Sequence, residues 1–233
     1  MDDTDLSLSE AASGNQLVVS RICDTLREKI VSGTILPGSV INSVELARHF
    51  GTSRTPVREA LLILSQDGLI SITNYRRPKV AVVTVEAIRD LYGFREAMHA
   101  YMAAAIVAKA SDEELLTLKQ MATSLLRTAG ADPMQHLLDI ESYLGEELRL
   151  CRNEVVVGAL NALKYKIRWF RRVGMPTREQ FLILARDRLR AAEAYAERDA
   201  FLAEAVNRSM VRKGANFCEQ SFQRAAKSWS SAE

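Results

Sequence analysis

Apolar residues recur at every fourth position through Val18, Ile22, Leu26 and Ile30. That spacing predicts an amphipathic helix over 17–31, stopped by Gly33. The stretch VELARHF predicts a second, short helix capped by Asn42 or Ser43 and ended by Gly51. Glu45, three residues after Asn42, fits a capping box. A third helix over 54–67 carries the stripe Val57, Ala60, Leu61 and Leu64, with Ser53 as cap and Gly68 as stop. Pro56 falls in its first turn, where a missing N–H costs little. The period then changes. Leu69, Ile70 and Ile72 precede a polar turn, and Val80, Val82 and Val83 follow it, which predicts a β-hairpin. The order helix, helix, helix, hairpin is that of a winged helix-turn-helix over 17–84.

From Val85 onward the pattern is helical only. Six helices are predicted, at 85–109, 111–128, 132–151, 154–174, 177–197 and 199–227, with Ser111, Thr177 and Asp199 as starts. The expected fold is mainly α: a winged helix-turn-helix with a small hairpin wing, then an antiparallel bundle of about six helices over 85–227. Residues 1–16 carry four acids, no base and no apolar period, and are expected to form a disordered tail.

Charge sharpens this picture locally. The whole chain has a net charge of +2, which announces no partner. Residues 17–84 hold nine Arg or Lys against five acids, the basic footprint a DNA-binding module needs. Cys23, Cys151 and Cys218 are far apart, without metal or disulfide spacing, which suits a reducing, cytoplasmic location. No signal peptide and no membrane-length apolar run is read in the chain.

The stretch TSRTPVREALLIL places Arg54 and Arg58 one turn apart on the face opposite the apolar stripe, with Thr55 beside Arg58. Cations at a helix N-terminus oppose the helix dipole, so stability does not explain them. A phosphate or a guanine edge does: Arg is the commonest reader of guanine, and a recognition helix reads with its N-terminal residues. The hairpin adds a basic tip at Arg76, Arg77 and Lys79.

These residues carry a resemblance. The run LREKIVSGTILPGSVINSVELARHFGTSRTPVREALLILSQDGLISI resembles the N-terminal domain of the GntR family of bacterial transcription regulators. The helical remainder is similar to the FCD-type sensor domain of the FadR subfamily, through IRDLYGFREAMHAYMAAAIVAKA and ARDRLRAAEAYAERDA. The resemblance implies that Arg54, Thr55 and Arg58, with Ser53 at the helix start, face DNA. It adds Arg48 on the preceding helix and Arg76, Arg77 and Lys79 on the wing as phosphate or base contacts. Pro78 stands where the family's wing carries glycine. The implied partners are a near-palindromic double-stranded operator, a second copy of the chain and a small-molecule effector.

The subfamily's metal, held by one Asp and three His, is not expected here. Its positions align with Ile140, Leu144, Arg188 and Met210, so no metal cofactor is read from the chain. Arg188 in a ligand position suggests a guanidinium that clamps an organic anion directly, with Arg95, Tyr143 and Arg168 as further candidates. The competing reading pairs Arg188 with Asp187, Asp139 or Glu141. Loss of polar ligands to Ile, Leu and Met is expected to make the interior more apolar. Catalytic motifs are missing: no phosphate loop, no paired Glu-x-x-His and no Ser-His-Asp order, so no enzyme is read. Two functions stay open: a repressor whose operator affinity responds to an anionic metabolite, and a DNA-binding regulator whose helical domain only dimerises.

Overall fold

The computed structural model describes residues 3–73 and 77–230. Among these residues are ten helices and one two-stranded sheet, divided into two compact units. The first comprises 1–83 together with 162–172; the second comprises 84–161 and 173–233.

In the first unit, α1 (Asp3–Val31) packs on α3 (Arg54–Gln66), and α2 (Ser43–Phe50) packs on α3 as well. The seam is apolar: Val19, Ile22, Leu26 and Ile30 meet Val57, Ala60, Leu61 and Leu64, all buried. Val19 takes the core position that the sequence period assigns to Val18, which is only half-buried. The helix also begins at Asp3 rather than near Leu17, although residues 14–17 remain exposed and bury nothing. Asn42 caps α2 by accepting from the amides of Val44 and Glu45. Gly51 ends the helix at φ +62°, a left-handed conformation in which a Cβ is strained.

The wing is shorter than the apolar runs predict. Strands β1 (Ile70–Ser71) and β2 (Lys79–Val80) pair antiparallel, Ile70 with Val80 and Ser71 with Lys79. A bridge from Val40 to Lys79 adds a third edge, and the Ile41 amide donates to the Pro78 carbonyl at 2.8 Å. Pro78 has no N–H for a ladder, so it sits beside β2 and serves as an acceptor.

The second unit is a helical bundle of α4 (Val85–Lys109), α5 (Asp112–Thr128), α6 (Pro133–Cys151), α7 (Glu154–Ala162), α9 (Arg178–Ala196) and α10 (Ala200–Ser230). Helix α4 packs on α6 and α10, α9 on α5 and α10, and α5 on α6. The core is filled from all of them, among others by Ile106, Leu118, Tyr143, Leu160, Phe181 and Ala203. The starts are well made. Thr84, Ser111, Asp132, Thr177 and Asp199 each accept a hydrogen bond from an amide of the first turn they precede.

One predicted helix is two. The expected run 154–174 breaks at Leu163 into α7 and α8 (Lys164–Val173). The two halves differ chemically: EVVVGALNA is apolar, while KYKIRWFRRV is basic and aromatic. Helix α7 buries Val156 and Leu160 in the second unit, whereas α8 belongs to the first.

Candidate nucleic-acid interface and buried polar cluster

Helix α3 follows α2 after a tight turn, in which the Thr52 amide donates to the Ala47 carbonyl at 2.9 Å. This is the turn of a helix-turn-helix. It presents the first turn of α3 outward while Pro56 and Val57 are buried beneath it. Arg54, Thr55 and Arg58 are exposed there. They line a groove of about 650 Å³ together with Ser43, Leu61, Leu62, Ile72 and Pro78, so α2, α3 and the wing converge on one surface. Arg48 in the last turn of α2, and Arg77 and Lys79 at the wing, are exposed as well. Arg76 lies outside the described residues.

Ser53 occupies the N-cap position with extended backbone, but its hydroxyl caps nothing and the residue is exposed. The expected side-chain cap is therefore absent, and the first amides of α3 are left for an outside acceptor.

The ion pairing of the chain isolates these cations. In the second unit, Arg89 pairs with Glu219, Arg149 and Arg152 with Glu114, Arg198 with Asp112 and Arg212 with Glu96. Among the described residues, Arg48, Arg54, Arg58, Arg77 and Lys79 have no salt-bridge partner. Glu59, the acid nearest Arg58 in sequence, instead accepts from Asn15. Positive charge left unpaired around a groove is what a polyanion needs.

Within the second unit, one face of α6 carries His136, Ile140, Tyr143 and Glu147, all buried. Arg188 and Tyr195 come from α9, Asn207 and Met210 from α10, and Arg95 and His99 from α4. The Arg188 guanidinium lies 5.4 Å from the centre of the Tyr143 ring, and that of Arg95 lies 4.6 Å over Tyr92. A relay crosses the bundle: the Asn207 amide donates to the Tyr195 hydroxyl at 2.9 Å, and that hydroxyl donates to Glu147 Oε1 at 2.9 Å. Glu147 Oε2, Asn207 Oδ1 and both ring nitrogens of His136 are buried with no hydrogen-bond partner among the described residues.

Burial dominates the electrostatics. It pushes Glu147 up to about 7, against the pull of Arg188 and of the Tyr195 and Tyr143 hydroxyls. It lowers His136, and the charge of Arg188 lowers it further, so the ring is neutral. Burial also lowers Arg95; Tyr92 raises it in part, and Arg188 lowers it again. Two buried guanidiniums thus feel each other, and Arg188 also acts on the buried Glu147 carboxyl.

Several expectations change here. Arg95, Tyr143 and Arg188 belong to one unit and one interior. Arg168 lies instead on α8, in the first unit. Of the acids set against Arg188, Asp187 pairs with Lys213, and Asp139 accepts from Gln135 and Thr128. The interior is also more polar than the substitutions to Ile, Leu and Met suggest. The sequence does not single out Glu147, Tyr195 and Asn207, although positions 136, 140, 143 and 147 follow a legible helical stripe. Ile140, Leu144, Arg188 and Met210 offer no set of N and O donors for a divalent ion. Among the described residues no three His, Cys, Asp or Glu side chains come together as a metal site.

Comparison with known proteins agrees with this geometry. Residues 18–80 match the family described as "Bacterial regulatory proteins, gntR family". The chain is 32% identical over 95 residues to the uncharacterized HTH-type transcriptional regulator YdhC of Bacillus subtilis, covering 41% of this chain and 42% of that protein. It is 31% identical over 110 residues to the gluconate operon transcriptional repressor of Bacillus licheniformis, covering 47% and 42%. The chain therefore spans about two fifths of the length of these relatives. In fold it resembles E. coli McbR/YncC, with a TM-score of 0.69 at 15% identity, over 88% of this chain and 98% of that one. Residues 18–80 therefore carry the signature of the gntR family of bacterial regulatory proteins, and the chain shares its fold with E. coli McbR/YncC.

Proposed function

We propose that this protein is a sequence-specific DNA-binding transcription regulator, a repressor, whose operator affinity is set by an organic anion held in the helical bundle. The observation that carries the DNA reading is the exposed, unpaired set Arg54, Thr55 and Arg58 at the open N-terminus of α3, flanked by Arg48, Arg77 and Lys79. Two copies would set two α3 helices in successive major grooves of a near-palindromic site. Arg54 and Arg58 would read base edges or phosphates, and the wing cations would neutralise backbone. Repression is the activity named for the gluconate operon relative.

The effector reading rests on the buried Arg95 and Arg188 of the helical bundle. A carboxylate or other anion entering that interior gains bidentate, charge-assisted hydrogen bonds and offsets the repulsion of the two guanidiniums. Such a ligand shifts operator affinity only as far as it binds one conformation of the dimer better than another.

The test is selection of duplexes from a random library by the full chain, then titration of the enriched site with wild type and Arg58→Ala at fixed salt. Loss of one base contact should cost about 1–3 kcal/mol and relax preference at one position of each half-site. Equal affinity of the two proteins for the site would overturn the assignment of α3 as the reader.

A further inference from the structure

Helix α8 is separated from the winged helix by most of the second unit in sequence, yet it packs in the first unit. Two of its residues, Tyr165 and Lys166, meet the corner at the C-terminal end of α3. Asp67 is the C-cap residue of α3 and Gly68 follows at φ +72°, immediately before Leu69 and β1. Arg27 of α1 grips this corner. Its Nε and Nη2 reach Asp67 Oδ2 at 2.9 and 2.8 Å, and its Nη1 reaches Asp24 at 3.1 Å. The opposite side of the interaction is α8: the Arg27 guanidinium lies 4.3 Å over the centre of the Tyr165 ring. Beside it, the Lys166 side chain crosses Gly68 so closely that its Cδ would stand 3.3 Å from a Cβ placed there.

The chemistry of this corner favours docking. The end of α3 presents carbonyls at the negative pole of the helix dipole. Helix α8 brings Lys164, Lys166, Arg168, Arg171 and Arg172 and no acid. A guanidinium sandwiched between a carboxylate and an aromatic face is restrained in its plane as well as in its distance, which an ammonium would not be. The Arg27 and Asp67 side chains retain only 17% and 16% of their exposure, so solvent screens the pair weakly.

We propose that α8 is part of the DNA-reading unit, with Tyr165 and Lys166 as positioning residues that fix the C-terminal end of the recognition helix through Arg27 and Asp67. The inference rests on α3 being the reader. It adds a route of regulation: α8 is continuous at both ends with the second unit, and α9, which carries Arg188, begins five residues after α8 ends. A ligand-induced change in that unit then reaches α3 through the chain itself, without touching DNA.

The experiment uses full-length wild type, Tyr165→Ala, Tyr165→Phe and Arg27→Lys. Each is titrated against the selected operator and against a scrambled duplex, and hydrogen exchange is followed at the amides of residues 66–70. Tyr165→Ala and Arg27→Lys should weaken operator binding about tenfold or more while scrambled-duplex binding changes less than about twofold, since phosphate contacts persist. Exchange at 66–70 should quicken in both, and Tyr165→Phe should restore both readouts. Operator affinity and exchange in Tyr165→Ala and Arg27→Lys within twofold of wild type would overturn the proposal. Should Tyr165→Ala fail to fold, Arg27→Lys decides. Should wild type enrich no duplex at all, the DNA reading fails, and the exchange readout still decides whether α8 holds α3.

Discussion

Glu146 and Glu147 are adjacent and identical in sequence, yet one residue of helical register separates their chemistry. Glu146 pairs with Arg149 on the surface at 2.7 Å. Glu147 faces the bundle interior, accepts from Tyr195 and is pushed up to about 7. In the unfolded chain its carboxyl returns to the ordinary range near 4.5. The folded protein therefore binds the proton more tightly. Stability from this group is fullest below pH about 4.5, declines as pH rises towards about 7, and stays low above it. Glu147→Gln keeps an acceptor for Tyr195 and removes the ionisation. It should gain stability over wild type by roughly 2–3 kcal/mol between pH 4.5 and pH 8, read from urea unfolding at both values. A constant difference across that range would show that Glu147 is not the group responsible. Such residues are hard to find by reading alone: GEELRL sets Glu146, Glu147 and Arg149 side by side, and composition does not reveal which charged group turns inward.

Helix ends distinguish structural from functional polar residues among the elements. Asp132 holds two amides of the first turn of α6, at 2.9 and 3.2 Å. Asp132→Ala should cost about 1 kcal/mol in thermal or denaturant unfolding, as lost N-caps do. Ser53 stands in the same position before α3 but makes no such bond. Ser53→Ala should leave stability within about 0.5 kcal/mol of wild type. Its effect should fall on operator affinity, and a stability loss equal to that of Asp132→Ala would refute this division of roles. At this scale sequence reading served well for α2–α6, where stripes, caps and glycine stops agree. It failed at 154–174, because helical periodicity persists on both sides of Leu163 and does not say which unit each half serves.

For the whole molecule, regulation requires that the buried guanidiniums of the bundle bind something. Thermal unfolding at fixed salt, with chelator present, against a panel of carboxylic acids and acyl thioesters, tests that directly. A ligand at about 100 times its Kd stabilises by about 2.7 kcal/mol. That shift should vanish in Arg188→Met, which preserves volume and removes charge. Stabilisation by zinc, nickel or manganese, reversed by chelator, would instead restore a metal to this interior. No stabilisation by any ligand would favour a bundle that serves dimerisation alone.

Read by itself, the amino-acid order determined what is local. Apolar period, caps and glycine stops specify the winged helix-turn-helix, and the position of Arg54 and Arg58 before the apolar stripe marks the exposed first turn of α3. Local signals suffice there because helices and tight turns are encoded within three or four residues. Tertiary structure decided what depends on distant partners. It turned Glu147 inward against Tyr195, joined through that hydroxyl to Asn207, placed Arg168 with α8 in the first unit, and brought Tyr165 to Arg27. Each of these is a contact between residues far apart in the chain, and periodicity carries no record of which remote side chain a given face will meet.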